Sequence, residues 1–580
     1  MNRLIKGNRM VKLFIGLVVG TLFTAFTFVK DDFFEIGKNL EIFSALYRQV
    51  SLTYVDDVNP NQLIKKGINA MLEELDPYTE FVPESEIAEF RLRYVDTKYA
   101  GLGARIVARD NKRVQIAELF EGYPAHKAGL EVGDEILRID GVSVHGMDAA
   151  EVSRLLKGEE GEVVELLVKK GIAGKEEAIR AVRQNITQPN VSYSARLSGN
   201  IGYVKLDKFL TGAAGEVRKA MLDMNKAAPL EGFVLDLRDN GGGILQESVK
   251  VLNLFVKQGQ EVVSQQGRHE DNKGFAYVTK QVPVAPDLPL VVLINERSAS
   301  ASEIVAGALQ DLDRAVIIGN KSFGKGLVQQ TYRLPYNNMV KVTVAKYYTP
   351  SGRCIQAVDY THKDANGKAI RINDSLMAEF STRNGRKVFS GNGIFPDIEI
   401  NEVKRSAIIR ALKGKFLISD YATRYFHEHG LVKNLSSFHL SDEDYNDFLR
   451  YLSTHNFSYS SPAEKALRNL GSALEEEGHG GEAADVLKLL DEKISGFKDR
   501  ELRLYKDDIK AQLEEEIASR YYFQKGRYRV ALARDEAVGR AKQILTVENK
   551  LVYNDVLAGK GSYHIIGKPK LHLASADELE

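Results

Sequence analysis

Between residues 200 and 350 the sequence alternates short apolar runs with stretches of helical period, and this pattern limits the fold more than any other feature. IGYVKLDKF is followed by GEVRKAMLDMNKA, GFVLDLR by ILQESVKVLNLFV, and PLVVLINE by SEIVAGALQ; AVIIGN and VKVTVAKYY then read as strands. Such alternation argues for an α/β layered domain whose functional loops lie at strand ends. GIFPDIEI closes it near residue 400.

At 580 residues the chain is too long for a single core, so several domains are expected. Residues 31–89 read as helices, with LEIFSALYRQV and QLIKKGINAMLEEL joined by the turn-like DDVNPN. Residues 90–172 switch to short alternating strands and glycine turns, with one short helix in DAAEVSRLLKG, and form a compact unit. The polar stretch GIAGKEEAIRAVRQN reads as the connector to a core spanning 173–400. Residues 401–580 are mostly helical: Ser461, Pro462 and Glu464 make a helix start, and Leu502, Tyr505, Ile509, Leu513, Ile517 and Tyr521 mark a face for burial against neighbouring helices.

Composition removes several classes of function. The 79 basic and 79 acidic residues cancel, which gives no electrostatic case for nucleic acid. A single cysteine, Cys354, excludes an intramolecular disulfide and a cysteine-rich metal site. His427 and His429 have no third ligand at useful spacing and read as surface, so neither metal nor cofactor is expected. At the N-terminus, Arg3, Lys6, Arg9 and Lys12 precede an uncharged run from Leu13 to Val29. Residues 1–30 therefore read as a retained signal anchor rather than a cleaved leader, because no small-residue cleavage site follows. That expectation places the rest of the chain outside the cytoplasm, in a periplasm where there are two membranes.

ERSASASEIVAGALQD holds three serines at alternate positions ahead of a helical pattern. Ser300 and Glu303 fit a capping box, a structural role. Ser300 also lies where a strand meets a helix whose first N–H groups face any bound group. A nucleophile there needs a base, and no histidine lies between His269 and His362. Lys325, between Gly324 and Gly326 in NKSFGKG, serves if its surroundings lower its pKa from about 10.4 to roughly 7–8. Gln329, four residues on, can orient a neutral amine without restoring charge. DLRDNGGGIL offers glycine N–H groups for an oxyanion at a helix start. The spacing from Gly319 to Lys325 also fits a phosphate-binding loop, but Gly326 stands where that loop needs Ser or Thr.

Taken in series, LDPYTEFVP (75–83), YAGLGARI (99–106), DLRDNGGG (236–243), RSASASEIVAGALQD (297–311), NKSFGKG (320–326), YTPSGRCIQ (348–356) and GIFPDI resemble the carboxyl-terminal processing peptidases of serine peptidase family S41. The resemblance covers roughly residues 35–400. It implies a multidomain α/β protein: a crotonase/ClpP-like protease core with an inserted PDZ domain, a helical N-terminal region and a helical C-terminal extension. It further implies Ser300 as nucleophile, Lys325 as general base and Gln329 as its orienting residue. The oxyanion donors would be the backbone of Ala301 and of Gly242 or Gly243, and Asp311 would have a structural role. Gly101, Leu102, Gly103 and Ala104 match the PDZ carboxylate-binding loop, with residues 147–156 as the opposite wall of the groove.

The expected function is an exported serine endopeptidase acting on proteins or peptides with accessible apolar C-termini. Two alternatives stay open. One is a catalytically silent PDZ scaffold; the other is a protease active only as a homo-oligomer or with an adaptor docked on residues 401–580.

Overall fold

The computed structural model describes residues 33–560 except 110–111, 172–173, 270–271, 374–376, 401–406, 436–437 and 547–549. The expected anchor, residues 1–30, lies outside the described residues; among those described, no helix is long and apolar enough to cross a membrane. Contacts divide the chain into residues 1–84 with 331–343, and residues 85–330 with 344–580.

The smaller unit follows the sequence closely. Helices span 33–53 and Pro60–Glu73. The Asn59 side chain caps the second helix by accepting the Gln62 N–H, and Pro60 takes the first helical position, where its missing N–H costs nothing. In LDPYTEFVP the Asp76 carboxylate accepts the N–H groups of Tyr78 (2.8 Å) and Thr79 (3.0 Å). That turn leads into the strand Glu80–Val82, which pairs antiparallel with residues 339–341.

The larger unit is built on a sheet in which β1 (Val191–Leu197), β2 (Ile201–Leu206), β3 (Gly232–Asp236), β4 (Leu290–Ile294), β5 (Val316–Gly319) and β6 (Ile398–Glu399) lie side by side in that order. β1 is antiparallel to β2, and every later neighbour pairs parallel. The helices α1 (Ala213–Ala227), α2 (Leu245–Leu252) and α3 (Ala301–Asp311) cover one face. Leu235, Leu290, Val292, Ile294 and Ile317 point into that layer. The alternate residues Tyr203, Val234, Val291, Leu293, Val316 and Ile318 point the other way. A parallel sheet of such continuous apolar runs must be covered on both faces. The second cover comes from far downstream: α4 (Glu536–Leu545) and α5 (Lys550–Leu557) bring Val538, Ala541, Ile544, Leu545 and Val556 onto it.

Two features go beyond the sequence reading. The helical C-terminal extension is present, and its last helices cover the second face of the core sheet. Helicity was visible, but a helix's apolar stripe does not name the surface it covers. The polar connector after residue 172 is also partly strand: Glu176–Val182 pairs with Val163–Lys169 and carries the PDZ-like sheet to Val182. Only Ile179 and Ala181 of EEAIRAV are buried, so charged neighbours mask the two-residue period.

The PDZ-like unit orders its strands Ala104–Ala108, Val114–Leu119, Glu135–Ile139, Val163–Lys169 and Glu176–Val182. The remaining C-terminal helices form their own cluster, in which Ile509, Leu513 and Ile517 are buried against Leu412, Tyr421 and Phe448, as the stripe predicts. They also grip the PDZ-like unit. Arg109 makes two hydrogen bonds to Asp420 (2.8 and 2.6 Å), and Phe523 packs against the PDZ-like core with its ring 4.9 Å from that of His126.

Ile544 is 1% exposed, so Ile544→Ala is expected to cost about 2–5 kcal/mol of stability, read from urea unfolding. A chain ending near residue 400 would uncover the whole second face and is expected to be recovered only in the insoluble fraction.

Candidate active site

Three loops leave the carboxyl ends of β3, β4 and β5 and meet: 237–244, 295–300 and 320–326. This is where an open parallel sheet presents its functional groups. The three alternate serines separate cleanly. Ser298 is fully buried, its hydroxyl donating to the Leu237 carbonyl (2.9 Å) and accepting the Asn295 N–H (2.9 Å). Ser302 is also buried, donating to the Asn240 carbonyl (2.8 Å). Both are occupied as structural pins. Ser300 is only half-buried and sits ahead of α3 with φ of 55° and ψ of −114°. A non-glycine residue there is strained, and such strain persists only where the surroundings hold it.

Glu303 does the holding. Its side chain is wholly buried, and four donors converge on it. Oε2 accepts the N–H of Ser300 (2.8 Å) and of Lys325 (2.9 Å). Oε1 accepts the Ser322 hydroxyl (2.5 Å) and the Gly324 N–H (2.7 Å). The expected capping contact from Glu303 to Ser300 is therefore one part of a larger clamp that fixes the serine turn to the lysine loop. Burial raises the Glu303 pKa, against the pull of these hydrogen bonds.

The lysine loop is seated by further contacts. Phe323 N–H donates to the Ser298 carbonyl (3.0 Å), and Gly326 N–H to Gln356 Oε1 (2.7 Å). At Gly324, with φ of +91°, a Cβ would stand 2.4 Å from Ala357 Cβ, so glycine is required. Lys325 is half-buried in this loop, and Gln329 is half-buried on the strand Leu327–Arg333 that follows it.

The glycine loop closes the site from the β3 side. Fully buried Asn240 accepts the Ala299 N–H on its carbonyl (3.0 Å) and the Gly242 N–H on its side-chain oxygen (2.9 Å). Gly242, with φ of +100°, lies so close that a Cβ would be 2.8 Å from Ser300 Cβ and 2.9 Å from Ala301 N. Of the two expected glycine donors, Gly242 is thus engaged within its own loop. Gly243 bridges to Phe209 in parallel fashion, which turns its N–H away from that residue. The Ala301 N–H opens α3 beside it.

Sequence reasoning missed Tyr347, buried on the strand Met339–Tyr348, whose hydroxyl donates to the Ser300 carbonyl (3.2 Å). Burial raises its pKa well above the usual tyrosine value. Asp311 has the structural place expected of it: it pairs with buried Arg353 (2.7 Å) and accepts the Ser351 N–H (3.0 Å) at the far end of α3.

In the PDZ-like unit, Leu102 and Gly103 are buried, their carbonyls accepting the N–H groups of Ala125 (2.8 Å) and Phe120 (2.9 Å). The strand Ala104–Ala108 is the edge of its sheet, and the helix Ala149–Leu156, capped by Asp148, packs beside it. The four residues Gly101, Leu102, Gly103 and Ala104 thus lead into that edge strand.

Comparison with known proteins places the chain's regions among known families. The profile of peptidase family S41 matches residues 200–363, that of the PDZ domain residues 115–170, and one described as "Probable PDZ-protease, C-terminal helical domain" residues 408–545. The carboxy-terminal-processing protease of Bartonella bacilliformis is 36% identical over 327 residues, 56% of this chain and 74% of its own length. Among solved structures, a photosystem II D1 C-terminal processing protease is 30% identical at a TM-score of 0.32, covering 57% of this chain and 91% of that one. The PDZ domain of a Vibrio cholerae carboxy-terminal protease in complex with peptide is 32% identical at a TM-score of 0.15, covering 15% and 97%.

Glu303→Gln would set an amide NH₂ against N–H or O–H donors. It is expected to cost about 3 kcal/mol or more and to lower turnover, read from thermal melting together with peptide hydrolysis. An unchanged melt would show that the clamp does not hold the turn.

Proposed function

The chain belongs to peptidase family S41, the serine-type carboxy-terminal-processing proteases, and on that footing we propose that it cleaves peptide bonds with Ser300 as nucleophile and Lys325 as general base. The observation that carries this reading is the Glu303 clamp: one carboxylate oxygen receives the backbone N–H of both Ser300 and Lys325, while Ser298 and Ser302 are committed elsewhere.

In this mechanism the neutral Lys325 amine takes the Ser300 hydroxyl proton as the oxygen attacks the scissile carbonyl. The Ala301 N–H at the start of α3, with a Gly243 N–H opposite, stabilises the resulting oxyanion. Collapse expels the amine, which receives the proton from Lys325, and leaves an acyl-enzyme on Ser300. Water then attacks the acyl carbon, giving a proton to Lys325, which returns it to the departing Ser300 oxygen. Gln329 orients the amine without adding a charge that would favour its protonated form.

Substrate selection is assigned to the PDZ groove. A peptide C-terminus would set its carboxylate at the N–H groups of residues 101–104 and add as a strand to Ala104–Ala108, with an apolar last side chain against the helix Ala149–Leu156. Export and membrane attachment through residues 1–30 belong to the same proposal, on the sequence pattern given above.

Ser300→Ala and Lys325→Ala are each expected to lower kcat by about a thousandfold or more, followed by mass spectrometry of the products from an unfolded protein with a free apolar C-terminus. Cleavage surviving in Ser300→Ala would remove it as nucleophile. Amidating the C-terminus of a peptide substrate is expected to raise KM about tenfold and leave kcat unchanged, since the groove and not the dyad loses a contact; equal KM for acid and amide would reject the PDZ assignment.

A further inference from the structure

The loop that touches Ser300 is held from outside the protease core. β3 ends at Asp236, whose carboxylate is fully buried and accepts the Tyr203 hydroxyl (2.7 Å), the Arg238 N–H (2.9 Å) and the Arg238 guanidinium (2.5 Å at its closest). Burial alone would raise the Asp236 pKa, but the charges of Arg238 and Lys205 outweigh it and hold the group well below the usual carboxylate range. Lys205 also donates to the Arg238 carbonyl. The backbone and side chain of Arg238 are therefore both fixed at the start of the loop.

The guanidinium reaches a second carboxylate that the core does not supply. Arg238 Nη2 lies 2.8 Å from Asp535 Oδ2, with the two side chains only 17% and 20% exposed. Asp535 is the N-cap of α4, its other oxygen accepting the Val538 N–H (3.0 Å). One side chain thus starts the helix that covers the sheet and grips the residue that starts the glycine loop. The contacts continue without a gap. Asp239, at φ of +62°, is held by Asn295 (2.9 Å) and Arg297 (2.5 Å), Asn240 holds Ala299 and Ser302, and Gly242 abuts Ser300 and Ala301.

We propose that the Arg238–Asp535 ion pair is a positioning contact, through which the C-terminal helices set the glycine loop against Ser300 and make themselves part of the catalytic apparatus. Neither residue touches substrate; both act through the loop. The proposal rests on the reading of Ser300 as nucleophile. It also gives a physical basis for coupling activity to the helical region. The pair lines a cavity of about 760 Å³ shared with Lys205, Asn295, Lys510 and Arg534, so a shift of those helices reaches the pair directly.

The test uses the full chain carrying Asp535→Asn, which keeps a capping oxygen and the side-chain volume but removes the charge. Arg238→Lys keeps a cation for Asp236 but loses the fork that spans two carboxylates. Each variant is expected to lower kcat about ten- to a hundredfold, with KM within twofold and the melting temperature held. The double variant is expected to fall no further than the worse single one, because both remove the same contact. Ser461→Ala, which removes a helix cap elsewhere in the helical region, is expected to leave kcat unchanged. Unchanged kcat in Asp535→Asn, additive effects in the double variant, or losses matching only the fraction unfolded would overturn the proposal. Ser300→Ala run alongside separates the two readings: activity surviving there sinks the nucleophile assignment, whereas a dead Ser300→Ala beside a fully active Asp535→Asn sinks only the positioning role.

Discussion

A single buried carboxylate organises the site. Without Glu303, the serine turn at the end of β4 and the glycine-flanked lysine loop after β5 would lose the bonds that join them beyond Phe323 N–H to the Ser298 carbonyl, each leaving backbone N–H groups to be satisfied elsewhere. With it, four donors share one acceptor group shielded from solvent, where hydrogen bonds to charge are strongest. The strained backbone at Ser300 follows from this arrangement. A residue at φ of 55° is tolerable when its own N–H is fixed by a partner that cannot move without giving up three other bonds. The site is therefore held through its backbone, while Ser300 and Lys325 remain only half-buried.

The second constraint is the sheet itself. Alternate residues of β2 to β5 are buried on opposite faces, so the core demands two apolar covers. α1 to α3 lie between the strands in sequence and form the first. α4 and α5 arrive after the whole helical region and form the second. That region reaches the PDZ-like unit as well, through Arg109–Asp420 and Phe523. It is thus the common neighbour of the PDZ-like unit and the core sheet.

Much of this was legible in the sequence, for identifiable reasons. The strands of the core are short apolar runs with little ambiguity, and motifs such as DLRDNGGG and RSASASE are local, so loop and helix start could be read from a few residues. Ser300 and Lys325 stood out because their neighbours are glycines and small residues. What escaped was long-range. Glu303 looked like an ordinary capping residue because its partners Ser322, Gly324 and Lys325 lie some twenty positions away. Gly242 looked like a free donor because nothing local says that the Asn240 side chain turns back onto its N–H. The destination of α4 was hidden for the same reason: an amphipathic helix declares that it will be covered, not by what.

The order of elements along the chain has a consequence for biogenesis. β6 ends at Glu399 and α4 begins only at Glu536. A nascent chain that has emerged as far as β6 already holds Ser300, Lys325 and Glu303, yet one face of its sheet is bare, and the loop before Ser300 lacks the partner of Arg238. The intervening helices must be synthesised before that face can be sealed. Sealing of the core sheet therefore waits on α4 and α5, and a chain interrupted before them keeps an open sheet.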